Sequence, residues 1–291
     1  MHRLAADAGV VSVFKEFTTT FKLYAYKNRD RCDLSIRVND SLVMTYKLTH
    51  AELKQFFEPP VFKERNLLDD LLDRVSSLDE NHEARQFCDK RKIPLDQLSR
   101  LYFVDNIRKI ENLNIDKYKN TIIGQEPRIV IPFRDKNGKL VGVSCRGIRG
   151  ETLRYVTVKI DENAPLIFGI EDIKQDRPFF AVEGPIDSLF VENSIAVGGV
   201  GFNKLDLLSL NKDNLTVVLD NQPRNSEVCK VYRKLITQGY RIMIWPLNIE
   251  SKDINDLALA GYSREQIKTL INDNSFQNMT AQLKFDSWKK I

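Results

Sequence analysis

The stretch FFAVEGPIDSLF, residues 179–190, runs an apolar strand into an acid, a Gly-Pro turn and a second acid four positions after the first. Phe179 to Val182 has strand propensity, and Gly184-Pro185 ends a strand and opens a helix, because proline suits the first helical turn. Neither accounts for Glu183 or Asp187. A glutamate between an apolar strand and Gly-Pro has little capping use, so the pair calls for an explanation in terms of charge.

Elements alternate outward from this turn. PFFAV, SIAVGG, NLTVVL and YRIMIWPL read as strands. PIDSLFVEN, PRNSEVCKVYRKLITQG closed by Gly239, residues 253–259, and SREQIKTLIND with Ser263 as N-cap read as helices. Short strands that are apolar on both sides, set between helices, predict a parallel sheet covered on both faces, an α/β fold. Ligands of such sheets sit beyond the C-terminal strand ends. Glu183 follows the first strand, Asp220 follows NLTVVL, and Asp253 and Asp256 follow YRIMIWPL. Asp187 belongs to the first turn of the helix that Pro185 begins.

These acids repel one another in water and become favourable around a hard dication. A donor set of oxygen alone selects Mg²⁺ or Mn²⁺ over zinc. Each acid also has a plainer role open to it. Asp187 suits the positive end of a helix, Asp220 an Asx turn before Pro223, and Asp253 or Asp256 a helix cap.

Upstream the period changes. RIVIPFRD, a KNGK turn and LVGVSCRGI read as a hairpin, with LRYVTVKI as a third strand. Residues 121–160 hold eight basic residues (Arg128, Arg134, Lys136, Lys139, Arg146, Arg149, Arg154, Lys159) against Glu126, Asp135 and Glu151, a net of +5 where the whole chain carries +4. Such a segment attracts polyanions, or is simply a solvated face. Residues 51–120 read as helical in AELKQFF, VFKERNLLDDLLDRVSSL and HEARQFCDKRK, whereas residues 1–50 have mixed periodicity and receive no assignment.

The 291 residues, 42% hydrophobic and 29% charged, describe a globular protein able to bury a core. No apolar run approaches the roughly 20 residues that span a bilayer, and the N-terminus lacks a signal-peptide core, so a cytoplasmic location is expected. Cys32, Cys88, Cys145 and Cys229 form no CxxC pair, which leaves no zinc ligand set and predicts free, buried thiols. His2, His50 and His82 are as scattered and read as surface or hydrogen-bonded residues.

EGPIDSL, VVLDNQ and KDIND, each after a strand, resemble the three acidic motifs of the Toprim fold of primases, topoisomerases and some nucleases. RIVIPFRDKNGKLVGVSCRGI, LRYVTV and LIFGIEDI resemble the basic subdomain of DnaG-type primases, and HEARQFCDKRKIP with the DNQPRN context resembles primases of T-even-type bacteriophages. The resemblance implies an enzyme that makes short RNA primers on single-stranded DNA from ribonucleoside triphosphates during replication, in company with a replicative helicase and, if phage-encoded, in the host cytoplasm. It implies Glu183, Asp187 and Asp220 as catalytic acids and Glu183, Asp220, Gln222, Asp253 and Asp256 around Mg²⁺ or Mn²⁺. Arg128, Arg146, Arg154, Lys159, Arg224 and Lys252 are implied as contacts to template or nucleotide.

Two departures stand out. Gln222 occupies the second position of the family's D-x-D, where an amide oxygen can ligate without adding charge, and no cysteine-rich zinc ribbon is present, so no zinc is expected. The implied organisation is an N-terminal remnant following a missing ribbon (1–50), a helical connector (51–120), a basic nucleic-acid-binding subdomain (121–177), a Toprim catalytic domain (178–260) and C-terminal helices (261–291). A Toprim nuclease and a catalytically weakened, primase-derived protein that binds single-stranded DNA or a helicase remain as alternatives.

Overall fold

Two sheets meet around the acidic turn, and each owes its form to a different sequence period. The computed structural model describes the backbone of residues 8–16, 19–27, 32–38 and 41–48, and residues 67–199 and 201–291. It divides into two units, Met1–Arg65 and Asn66–Ile291.

In the first unit, β1 (Ala8–Glu16), β2 (Thr19–Lys27), β3 (Cys32–Val38) and β4 (Ser41–Leu48) form an antiparallel meander in that order. Its register shifts between Val10 and Ser12 and again between Ile36 and Arg37. An irregularity of this kind exchanges the inward and outward phases of a strand, which is why residues 1–50 show no clean alternation. The expected relation of this region to a zinc ribbon bears on side chains outside the described residues.

The second unit opens with α1 (Leu67–Leu71), β5 (Asp73–Arg74), α2 (Glu83–Lys90), β6 (Tyr102–Val104) and α3 (Ile115–Tyr118). The expected helical connector is thus only partly helical, since β5 and β6 join β7 (Arg128–Arg134), β8 (Leu140–Gly147) and β9 (Tyr155–Lys159) in one antiparallel sheet, order β5-β6-β7-β8-β9. Tyr102, Phe103 and Val104 are all buried, and apolar character on both faces looks helical when the run is short. His82 caps α2, its Nδ1 accepting from the Ala84 N–H at 3.1 Å, while its ring meets Phe103 edge-on.

The predicted hairpin is not half solvated. Along β7, Ile129, Ile131 and Phe133 enter the main apolar core, and Val130 enters a smaller one with Val143, Cys145 and Val158. The period-two alternation therefore feeds two cores, which no composition count distinguishes from one core and water.

The α/β half follows the expected order, although the helix expected over PIDSLFVEN ends at Ser188 and the strand expected over YRIMIWPL is confined to Arg241–Met243. β10 (Phe179–Val182), α4 (Pro185–Ser188), β11 (Ser194–Ala196), β12 (Leu215–Val218), α5 (Ser226–Thr237), β13 (Arg241–Met243), α6 (Ile254–Leu259) and α7 (Arg264–Asp273) alternate along the chain. β10 pairs parallel with β11 and β12, and β12 with β13. An unanticipated edge strand, β14 (Ser275–Phe276), runs antiparallel to β13 before the last helix, α8 (Asn278–Trp288). Ser263 caps α7 with a complete capping box. Cys88, Cys145 and Cys229 are free and buried.

α8 anchors to the fold through aromatics. The Phe285 ring stacks on Tyr232 of α5 with centroids 5.4 Å apart, and Trp288 lies 4.7 Å from the same ring. Truncating a fully buried phenylalanine costs about 3–5 kcal/mol, so Phe285→Ala is expected to lower the unfolding free energy by that amount, read from the midpoint of urea denaturation.

Candidate active site

Because β10, β12 and β13 run parallel, their C-terminal ends share one edge, and the chain places an acid after each. Glu183 follows β10 directly. Its carbonyl accepts from the N–H groups of Gly198 and Gly199 at 3.0 and 3.2 Å, and both glycines have the positive φ that this return requires. Gly184 has a different reason to lack a side chain: a Cβ there would collide with Asp187 Oδ2, so the turn lets the Asp187 carboxylate fold back over it.

Asp187 Oδ1 accepts from the backbone N–H of Asn255 at 2.9 Å, joining the start of α4 to the start of α6. Asp253 is the N-cap of α6, accepting from the Asp256 N–H at 2.8 Å, and Asp256 accepts from the Lys252 N–H at 3.2 Å. The capping role open to Asp253 is therefore realised. Asp220 accepts from Gln222 Nε2 at 3.1 Å, while the Gln222 Oε1 is engaged by Asn225. Gln222 thus turns a donor toward Asp220, and its oxygen faces elsewhere.

Glu183, Asp187, Asp220 and Asp253 line one small pocket, floored by Val182, Val218 and Trp245. The Trp245 indole is held by donation to the Leu219 carbonyl at 2.7 Å. Asp256 lies beside this group, close enough for its charge to act on Asp220. Among the described residues no group of three or more aspartate, glutamate, histidine or cysteine side chains has the geometry to hold a metal ion. Burial and proximity still mark the titration of Glu183, Asp187 and Asp220. Burial, then the Asp220 charge, pushes Glu183 up to about 7. Burial, then Asp253, pushes Asp220 up to about 6, with Lys252 opposing at 3.9 Å. Asp187 rises well above the ordinary aspartate range through burial and Asp253. Glu183 Oε2 is buried with no hydrogen-bond partner.

The basic residues divide. Arg146 lies on the β8–β9 face beside the acids, 8% exposed, its guanidinium 4.8 Å from the Tyr155 ring centroid and its Nε without a partner. Arg91 and Arg154 lie close enough to act on Arg146. Tyr155 feels both Arg146 and Asp187, so the basic sheet adjoins the acidic pocket. Arg154, Arg224 and Lys252 are exposed, and Lys159 donates to the Glu162 carbonyl at 3.2 Å. Arg128 is not available as a nucleic-acid contact: it is 1% exposed, paired with Glu126, and donates to the Cys145 and Leu153 carbonyls. A guanidinium with five donors can serve as an internal strut, and the basic count does not separate that use from a surface one.

Sequence reasoning missed Arg91 and Asn255. Arg91 Nη1 donates to Asn255 Oδ1 at 2.7 Å, and Asn255 Nδ2 donates back to the Arg91 carbonyl at 2.7 Å. They sit in the motifs HEARQFCDKRKIP and KDIND, yet they are 164 positions apart, and only folding pairs them.

The fold is that of the catalytic core of DnaG primases. The catalytic core from E. coli superposes with a TM-score of 0.54 at 17% identity, covering 76% of this chain and 81% of that one. The DnaG primase catalytic domain bound to ssDNA gives 0.55 at 18%, covering 76% and 79%. A primase domain from Pseudomonas aeruginosa gives 0.53 at 15%, covering 72% and 78%. In sequence, the chain is 35% identical over 222 residues to the DNA primase of Enterobacteria phage T4, and spans 75% of itself and 64% of that protein. No protein-family model matches the chain. The primase likeness read from the motifs is thus present in both sequence and fold.

Two outcomes follow from the site. Carboxyls whose folded pKa is raised hold protons that the unfolded chain has released, so the metal-free protein loses stability as pH climbs from the ordinary carboxylate range through about 7. At about 1.4 kcal/mol per pH unit, Glu183 alone costs on the order of 3 kcal/mol at pH 8; the melting temperature in EDTA should fall between pH 5.5 and 8, and less so in Glu183→Gln. Gly184→Ala should displace Asp187 while lowering the unfolding free energy by only about 1 kcal/mol, with activity falling far more than stability.

Proposed function

We propose that the chain is the polymerase core of a DNA primase, a metal-dependent nucleotidyltransferase that joins ribonucleotides into short primers on single-stranded DNA. The observation that carries this reading is the junction of two charges at one sheet edge: four acids in one pocket, and Arg146 with Arg91 and Arg154 beside them. Strand ends collecting acids in the order glutamate, D-x-D-like, downstream aspartates support the Toprim assignment for residues 178–260, with the basic sheet of residues 121–177 as the polyanion-binding part.

The residues fit a hard dication. Every donor is oxygen, and the buried, unpartnered Glu183 Oε2 is a desolvated lone pair worth about 1–3 kcal/mol until something pairs with it. Glu183, Asp220 and Asp253 would hold Mg²⁺ or Mn²⁺, with Asp256 near and no zinc expected. When bound, the ion supplies charge that neutralises the triphosphate and activates the primer 3′-hydroxyl. Asp187 holds the start of α6 through Asn255 and adds to the negative field. Arg146, Arg154, Lys159, Arg224 and Lys252 would take phosphates of template or nucleotide, contacts that set register without reading sequence. Arg146 lies over the Tyr155 ring with a buried Nε that has no hydrogen-bond partner, a donor that an anion reaching it would satisfy. A replicative helicase is the proposed protein partner.

One observation favours a second reading, a primase-derived DNA-binding protein of reduced activity: Gln222 brings no charge and turns its NH₂ to Asp220. One experiment separates the readings. With single-stranded template, the four ribonucleotides and Mg²⁺ or Mn²⁺, the protein should make RNA, and Glu183→Gln should reduce synthesis on the order of 10²-fold or more while remaining folded. Salt-sensitive DNA binding with no RNA product supports the second reading; Mg²⁺-dependent cleavage of the strand without ribonucleotides supports a nuclease. Arg146→Ala should weaken DNA or nucleotide binding, whereas Arg128→Ala should lower the melting temperature instead.

A further inference from the structure

Asp220 and Asp253 stand on different loops and repel each other, so something must hold the loops together in the absence of any ion. Residue 221, next to Asp220, is where the two loops are tied. The Asn221 N–H donates to the Lys252 carbonyl at 2.6 Å. Its side-chain Nδ2 donates to the carbonyls of Ile249 and Ser251, both at 3.0 Å. Its Oδ1 accepts from the Trp288 indole Nε1 at 3.0 Å. One asparagine therefore closes the loop that ends at Asp253, and the end of α8 fixes the asparagine. The Lys290 N–H adds a bond from the same chain end to the Pro223 carbonyl at 2.9 Å.

We infer that Asn221 is a positioning residue that sets the Asp220–Asp253 separation for a divalent cation, and that α8, through Trp288, is part of that device. The inference rests on the metal-binding reading of the acidic pocket. Only asparagine satisfies all three side-chain contacts. Aspartate has no N–H to give the two carbonyls and would add a charge beside Asp220, and alanine leaves both carbonyls and the indole unpaired.

The test uses the full chain in four forms: wild type, Asn221→Ala, Trp288→Phe and Glu183→Gln. Mn²⁺ binding is followed by the electron paramagnetic resonance of the free ion, and melting temperature is recorded alongside. Asn221→Ala should raise the Mn²⁺ dissociation constant about 10-fold, as loss of an outer support to metal ligands does. It should raise the Mg²⁺ requirement for primer synthesis by a similar factor, with the rate at saturating Mg²⁺ within about twofold of wild type. Trp288→Phe, which keeps the ring stacking on Tyr232 and removes one N–H donor, should raise the constant roughly threefold, in line with the net contribution of one hydrogen bond. Wild-type Mn²⁺ affinity in folded Asn221→Ala overturns the inference, as does unchanged affinity in Trp288→Phe should the alanine variant not fold. If wild type itself binds no Mn²⁺, the metal reading falls and takes the inference with it. If wild type binds, Glu183→Gln does not and Asn221→Ala binds normally, only the role of Asn221 is lost.

Discussion

The mutual repulsion of carboxylates gathered at one sheet edge is the constraint on which the rest of the structure turns. In a shared, partly desolvated pocket, burial and then the charges of neighbouring acids raise the pKa of Glu183, Asp187 and Asp220, and the carboxylates would move apart if the backbone allowed. The backbone does not allow it. Glu183 is tethered by Gly198 and Gly199, Asp187 by Asn255, Asp253 by its own helix cap, and Asp220 by the loop that Asn221 closes. Neutral hydrogen bonds, each modest, together oppose a charge repulsion that water does not screen fully.

The second charge system is arranged by the opposite logic. Arginines dislike burial less than acids do when an aromatic face is at hand, and Arg146 lies over Tyr155 at the border of the acidic pocket. Burial still lowers the Arg146 pKa, yet its charge is secure at any physiological pH. Arg128, one strand away and of the same residue type, spends its donors on carbonyls and Glu126 and stabilises the sheet from within. The two residues differ in what surrounds them. β7 and β8 are both buried along nearly their whole length, so the two arginines are separated by their partners: carbonyls and Glu126 for Arg128, the Tyr155 ring for Arg146.

The joint between the halves of the second unit explains why these charges meet. A single apolar core runs from Val75 to Trp288 and takes side chains from β7, β10, β12 and β13 alike. Arg91 at the end of α2 reaches Asn255 at the start of α6 through two reciprocal 2.7 Å bonds. These contacts leave the basic sheet little freedom to drift from the acidic edge. The primase core fold is therefore best regarded as one body in which residues 67–120 are part of the frame of the site.

Much of the α/β half was readable along the chain, because period and punctuation agree there. Apolar runs of strand length, Pro185 opening α4, Ser263 capping α7 and Gly239 closing α5 are local signals, and local signals need no partner to be interpreted. The same holds for which acids stand at strand ends: once the strands are parallel, Glu183, Asp220 and Asp253 must share an edge. Residues 1–50 and β5, β6 and β14 escaped, since irregular register and two-sided burial erase the period that would have announced them. Tertiary packing alone made Arg128 a strut and set Arg146 over Tyr155, turned the Gln222 amide toward Asp220, and paired Arg91 with Asn255 and Trp288 with Asn221. Those outcomes depend on which surfaces meet across scores of intervening residues, and a linear pattern carries no record of that distance.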